Sequence, residues 1–160
     1  MIPTPPIPSQ TPAPPWSSWE KWLQSPPGRY VLHWEQQCFD QIVGDVFGFH
    51  AVQIGLPQLN ALSENRMPLH ALLMNANDSR EDANRFQWHL IEGNPSELPF
   101  ANESIDLVVL PHVLEFASDP HQILREVDRV LRPEGRLVIS GFNPASLWGA
   151  RQYLSRLIGN

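Results

Sequence analysis

The stretch from Ser104 to Phe142, SIDLVVLPHVLEFASDPHQILREVDRVLRPEGRLVISGF, constrains the fold more than any other part of the chain. It opens on SIDLVVLPH, an almost unbroken apolar run of the kind a strand shows when both faces of its sheet are covered. It closes on GRLVISGF, residues 135–142, which reads as a second such strand. The segment between them carries helix signals at both ends. Asp119 is placed to cap the first turn, Pro120 takes the first helical position, and Gln122 completes a capping-box pattern. Ile123, Leu124, Val127, Val130 and Leu131 then fall on one apolar stripe at helical spacing. Pro133 and Gly135 end the helix. Strand, helix and strand in this order make a βαβ unit, with parallel strands and a right-handed crossover.

Three further strands are predicted upstream: HAVQI at 50–54, HALLM at 70–74 and FQWHLIE at 86–92. Alternating with polar and helical segments, they give an α/β domain built on a parallel sheet. The N-terminal third is organised differently. Residues 1–15 contain seven of the seventeen prolines. Proline fixes φ and removes a donor, so this piece reads as a disordered or polyproline II tail. Trp16, Trp19 and Trp22 recur at a spacing that puts them on one helical face, suited to docking or to stacking on a ligand. Pro26, Pro27 and Gly28 are expected to end that turn, and a helix is expected over Tyr30–Phe47, stopped by Gly48. The resulting organisation is a tail (1–15), a helical cap (16–47) and an α/β domain (48–160). At the far end, LWGARQYLSRL reads as a helix packing on the sheet, capped by Asn143 ahead of Pro144.

Composition removes several classes of function. The 160 residues suffice for one domain with a real core. A formal charge of -6 argues against nucleic acid as a partner, because such binders concentrate Lys and Arg. Cys38 is the single cysteine, which excludes an internal disulfide and suits a reducing compartment. No run approaches the ~20 apolar residues that cross a bilayer, and no leader pattern is visible. The expectation is a cytoplasmic protein with no membrane partner. The histidines are scattered without metal-ligand spacing, so no metal site is expected. There is no GxSxG elbow and no GxxxxGK[ST] loop.

At this point the residues resemble a family. Leu98-Pro99-Phe100, Ser104-Ile105-Asp106, His112-Val113-Leu114, Glu126, Arg129-Val130-Leu131, Pro133 and Gly135 follow, in order, the pattern of class I S-adenosylmethionine-dependent methyltransferases of the type 11 group. With the strand at 50–54 the resemblance covers about residues 48–150. SGFNPASLWGARQYL is further similar to a bacterial subset whose cofactor loop is degenerate. The resemblance implies a three-layer α/β/α, Rossmann-like fold with a mostly parallel sheet of strand order 3-2-1-4-5. Family members usually add two strands after the fifth. This sequence stops one helix past it, so a sheet truncated there is expected, with an edge that is exposed or paired with another copy.

The resemblance also implies S-adenosylmethionine as cofactor and a small-molecule acceptor. The cofactor-binding set that it implies is Gln53, Gly55, Leu56, Asn75, Asn94, Ser96, Leu110 and His112. Three departures stand out. Gln53 occupies the position of an acid before the glycine loop, and Pro57 and Leu59 replace the later glycines. Asn75 and Asn77, with Asp78 next, stand where an acid usually addresses the ribose. Asn94 replaces the Asp that addresses the adenine amino group. An amide still donates and accepts, but without the stronger charge-assisted bond. The same residues exclude a dinucleotide fingerprint, of which only Gly55 survives. No general base stands out, so no catalytic residue is assigned. His112 lies where open α/β sheets bind ligands, although the stronger reading of the residue alone is a partly buried structural histidine. Two functions follow: methyl transfer to a small acceptor, or a non-catalytic binding or assembly protein that keeps the fold and has lost the cofactor.

Overall fold

The computed structural model describes residues 15–76, 78 and 80–142, the side chains from Trp19 onward. Residues 1–14 of the proline-rich tail, Asn77, Asn143 and the C-terminal helix expected over LWGARQYLSRL lie outside the described residues, whereas Pro15, expected in the tail, opens the first helix. Two compact units divide between Glu35 and Gln36. In the first, α1 (Pro15–Leu23) carries Trp19 and Trp22 stacked with ring centroids 5.1 Å apart. Pro26 and Pro27 do not end a helix, as expected, but begin α2 (Pro26–Val43). The first turn of a helix tolerates proline because its N–H groups have no partner there. Ser25 serves as cap, its Oγ accepting the Gly28 N–H at 3.3 Å.

The second unit holds a sheet of five strands: β1 (His50–Ile54), β2 (Leu69–Met74), β3 (His89–Glu92), β4 (Ile105–Pro111) and β5 (Leu131–Ser140). Their order is β3-β2-β1-β4-β5, as the resemblance implied, and every pairing is parallel. β3 is shorter than expected. β5 begins earlier, with a register irregularity between Ile105 and Leu107 that accommodates Pro133 and Gly135.

Alternate residues of each strand face opposite layers. Val52, Ile54, Ala71, Leu73, Val108 and Leu110 pack with Ile123, Val127 and Val130 of α4 (Pro120–Val130). On the other face, Leu72 and Met74 pack with Ala83 of the short α3 (Arg80–Ala83) and with Trp88. These are the layers of a Rossmann-like α/β fold. Leu124 and Leu131, assigned to the same stripe, are only partly buried. Asp119 caps α4 as expected, accepting the Gln122 N–H at 3.0 Å. The reciprocal half of the capping box is absent, because the Gln122 side-chain oxygen accepts from Arg125 instead, while its nitrogen donates to the Ser96 carbonyl.

Gly48 has a different task from the expected helix stop. α2 ends at Val43, where the Asn65 amide donates to the carbonyls of Val43 and Val46. A Cβ at Gly48 would lie 2.5 Å from Cβ of Asp106. The bare backbone lets the Asp106 carboxylate accept from the N–H groups of Phe49 and His50, each at 2.9 Å. Burial pushes that carboxyl up, but these two bonds and Arg132 outweigh it and hold it below the usual range.

A second ionic tie fixes the segment ahead of β4. Arg129 binds Glu126 and donates to the carbonyls of Leu98 and Phe100, while Glu126 accepts the Leu98 N–H at 2.8 Å. The Leu98-Pro99-Phe100 motif is thus held by the two charged residues of the α4 motif. The Arg129 hydrogen bond lowers the Glu126 pKa more than burial raises it. A depressed carboxylate contributes stability above its unfolded pKa, about 4.3, and loses it as pH falls through the lower folded value. Thermal melts of Glu126→Gln should therefore show a lower Tm than the parent at pH 7, with the gap closing below about pH 4. Val127→Ala should cost about 2 kcal/mol in denaturant unfolding, because Val127 is wholly buried against the sheet.

Candidate functional site

Open parallel sheets offer their ligand sites at the C-terminal ends of the strands, near the point where strand order reverses. Here that point lies between β1 and β4. The connection after β1, residues 55–68, consists of turns without a helix. Gly55 follows β1 with φ +72° and Leu56 with φ +50°. Glycine adopts this left-handed backbone freely, whereas leucine does so only under constraint.

The constraint comes from Gln53, which is completely buried. Its Nε2 faces three carbonyl oxygens, those of Gly55 and Leu56 at 3.0 Å and Leu59 at 2.9 Å. Its Oε1 accepts the Ala61 N–H at 2.8 Å. Gln53 was expected among the cofactor contacts. Its side chain is instead spent on the loop, so any part it has in binding acts through loop shape. Leu59, Ala61 and Leu62 are buried beneath that loop, which explains why apolar residues stand where glycines were expected. Gln58 ties it outward, donating to Asp82 of α3 at 3.0 Å.

Asn75 is exposed at the end of β2, and its N–H donates to Asp78 at 2.7 Å. Burial raises the Asp78 pKa, and this bond offsets part of the rise. Asn94 is exposed after β3, with its Oδ1 accepting the Ser96 N–H at 2.9 Å. Leu110 is fully buried with the side chains under α4, so it offers the strand end no side chain.

His112 follows β4 directly, with φ +55°, and is 3% exposed. Its Nδ1 lies 3.1 and 3.2 Å from the two carboxylate oxygens of Glu115. The same carboxylate accepts the Phe142 N–H, and the Phe142 ring sits 4.7 Å from the imidazole. Glu115 and Phe142 were not singled out from the sequence. The signal was the His-x-x-Glu spacing, short enough for the two side chains to meet across the turn that follows β4. Val113 was also missed as a neighbour of the loop: its Cγ2 would lie 3.2 Å from a Cβ on Gly55. Thus Gly55 and Val113 meet at the reversal point, each with its chain neighbour, Leu56 or His112, in a left-handed backbone, while Asn75, Asn94 and Ser96 follow β2 and β3. Among the described residues no group of histidine, cysteine and carboxylate side chains could hold a metal ion, and no helix is long and apolar enough to cross a membrane.

This sheet order with a positive-φ glycine at the reversal point defines a doubly wound, Rossmann-like domain. Residues 67–139 match the "Methyltransferase domain" family, of type 11. Through these residues the chain is similar to the class I S-adenosylmethionine-dependent methyltransferases of that group. It is 39% identical to the Escherichia coli protein YafS over 107 residues, 67% of this chain and 41% of that protein. It is also 36% identical to a demethylmenaquinone methyltransferase of Bacillus velezensis over 66 residues, 41% of this chain and 28% of that enzyme. The chain thus spans less than half the length of these relatives. Among solved structures, a Thermotoga maritima methyltransferase, a possible histamine N-methyltransferase, superposes with TM-score 0.63 at 19% identity, covering 88% of this chain and 64% of that one. The family's cofactor is S-adenosylmethionine.

Gly55→Ala should cost on the order of 1–2 kcal/mol in denaturant unfolding. The added methyl group meets Val113 and is held in a left-handed backbone. An unchanged midpoint would show that the turn relaxes freely.

Proposed function

We propose that this chain is an S-adenosylmethionine-dependent methyltransferase domain acting on a small acceptor. The observation that carries the reading is the family match over residues 67–139, together with a left-handed glycine turn at the end of β1. The donor set is compatible with the cofactor: exposed amides at the ends of β2 and β3, and a bare turn at the reversal point. When bound, S-adenosylmethionine supplies a methyl group on a positively charged sulfur. In this reading Gly55 and Leu56 back its amino-acid part, Asn75, Asn94 and Ser96 lie toward the nucleoside, and His112 borders the acceptor side beside the Leu110 end of β4. The chain's contribution is to place the acceptor atom in line with the methyl group. The demethylmenaquinone relatives make demethylmenaquinone the first acceptor to assay. A second copy of the chain pairing along β5, where Leu137 and Ile139 are exposed, is the partner proposed here.

Amides at all three positions where carboxylates were expected favour a second reading, a binding or assembly protein that has lost the cofactor. Calorimetric titration with S-adenosylmethionine and S-adenosylhomocysteine separates the two. The first reading expects saturable binding of both. It also expects Asn94→Asp to tighten binding by about tenfold, the ratio that ~1.4 kcal/mol gives. The Asx turn to Ser96 accepts a carboxylate oxygen as readily as an amide oxygen, so that substitution leaves the fold intact. Absence of binding by both proteins at millimolar ligand, with both folded, would replace the first reading by the second.

A further inference from the structure

We infer that Gln53 is the positioning residue of the loop after β1, and that its neutral amide is what keeps the loop in a shape that admits cofactor. The inference rests on the methyltransferase reading and concerns the same site. Its basis is the polarity of the contacts. Three carbonyl oxygens converge on the Gln53 amide at 2.9–3.0 Å, and a single N–H, that of Ala61, approaches its oxygen. Three acceptors can be served only by a donor, so the neighbours themselves fix which end of the amide is nitrogen. A carboxylate, which only accepts, cannot satisfy that arrangement. It would bring a negative charge against three carbonyl dipoles at a position with no exposure to bulk solvent.

The loop sequence agrees with inward-facing carbonyls. In a planar trans peptide the C=O and the following N–H point in opposite directions. The Leu56 carbonyl points at Gln53, so the nitrogen of the next residue points away from it. That residue is Pro57, which has no N–H to satisfy. The left-handed φ of Gly55 and Leu56 turns their two successive carbonyls onto one amide. Gln53, Gly55, Leu56 and Pro57 therefore form one device, in which a donor at the strand end replaces an acceptor. Restoring the acid alone should damage the site.

The test uses the 160-residue chain, its Gln53→Glu variant and S-adenosylhomocysteine, with melts and calorimetric titrations at pH 5 and pH 8. The new carboxyl would have a folded pKa raised by burial and by the carbonyls. Its protonated form can donate one hydrogen bond, so its contribution is present at low pH and lost as pH rises through the folded pKa. The expected result is a variant whose Tm falls from pH 5 to pH 8 relative to the parent. Measured below both melting temperatures, its affinity should be at least about tenfold weaker than the parent's at pH 8 and closer to it at pH 5. A variant that binds as tightly as the parent at pH 8 would overturn the inference, and so would one whose Tm does not depend on pH relative to the parent. If the parent itself does not bind, the methyltransferase reading fails, and the melts alone decide whether Gln53 must be neutral.

Discussion

A polar group sealed inside a sheet has to find all its hydrogen bonds within the protein, and Gln53 finds them in the segment that follows it. This one side chain determines how the chain leaves β1. Its amide draws in the carbonyls of Gly55, Leu56 and Leu59, and its oxygen holds Ala61. With the backbone satisfied in this way, the connection to β2 needs no helix to bury its polar groups. Leu59, Ala61 and Leu62 can then turn inward as core residues. The left-handed turn at Gly55 and Leu56, and the closeness of Val113 to it, follow from the same contacts.

The residues that carry the family pattern do mostly structural work. Glu126 and Arg129 grip Leu98 and Phe100 from one side of α4. Asp106 gathers the start of β1 through two N–H groups and engages Arg132 at the head of β5. These ties align the strands so that Gly55, His112, Asn75 and Asn94 come to the same end of the sheet. The pattern is recognisable because scaffold contacts of this kind need particular charges at particular spacings. Acceptor chemistry imposes no such requirement on these positions.

The βαβ unit was legible because its signals were local: a cap, a proline at the first turn and an apolar stripe. Strand order came from the resemblance, and the sheet bears it out. The start of α2 was misread because Pro26 and Pro27 resemble a stop when the cap at Ser25 is not recognised. Gly48 was misread because its reason, the approach of Asp106, lies 58 positions away in sequence. At the site, the positions of Gly55, Asn94 and His112 at strand ends were readable from the pattern. The inward turn of Gln53 and the meeting of His112 with Glu115 depend on tertiary geometry. A letter such as Gln states only that a donor and an acceptor are present, not which groups will meet them.

Amide hydrogen exchange at Ala61, in the chain without cofactor, tests the Gln53 clamp most directly. The Ala61 N–H is bonded to the Gln53 oxygen inside the core, so its protection should approach that of the β1 and β4 amides and require large-scale opening. Exchange at the rate of an open loop, with β1 still protected, would show that the loop is not held by Gln53 and would contradict the role assigned to it.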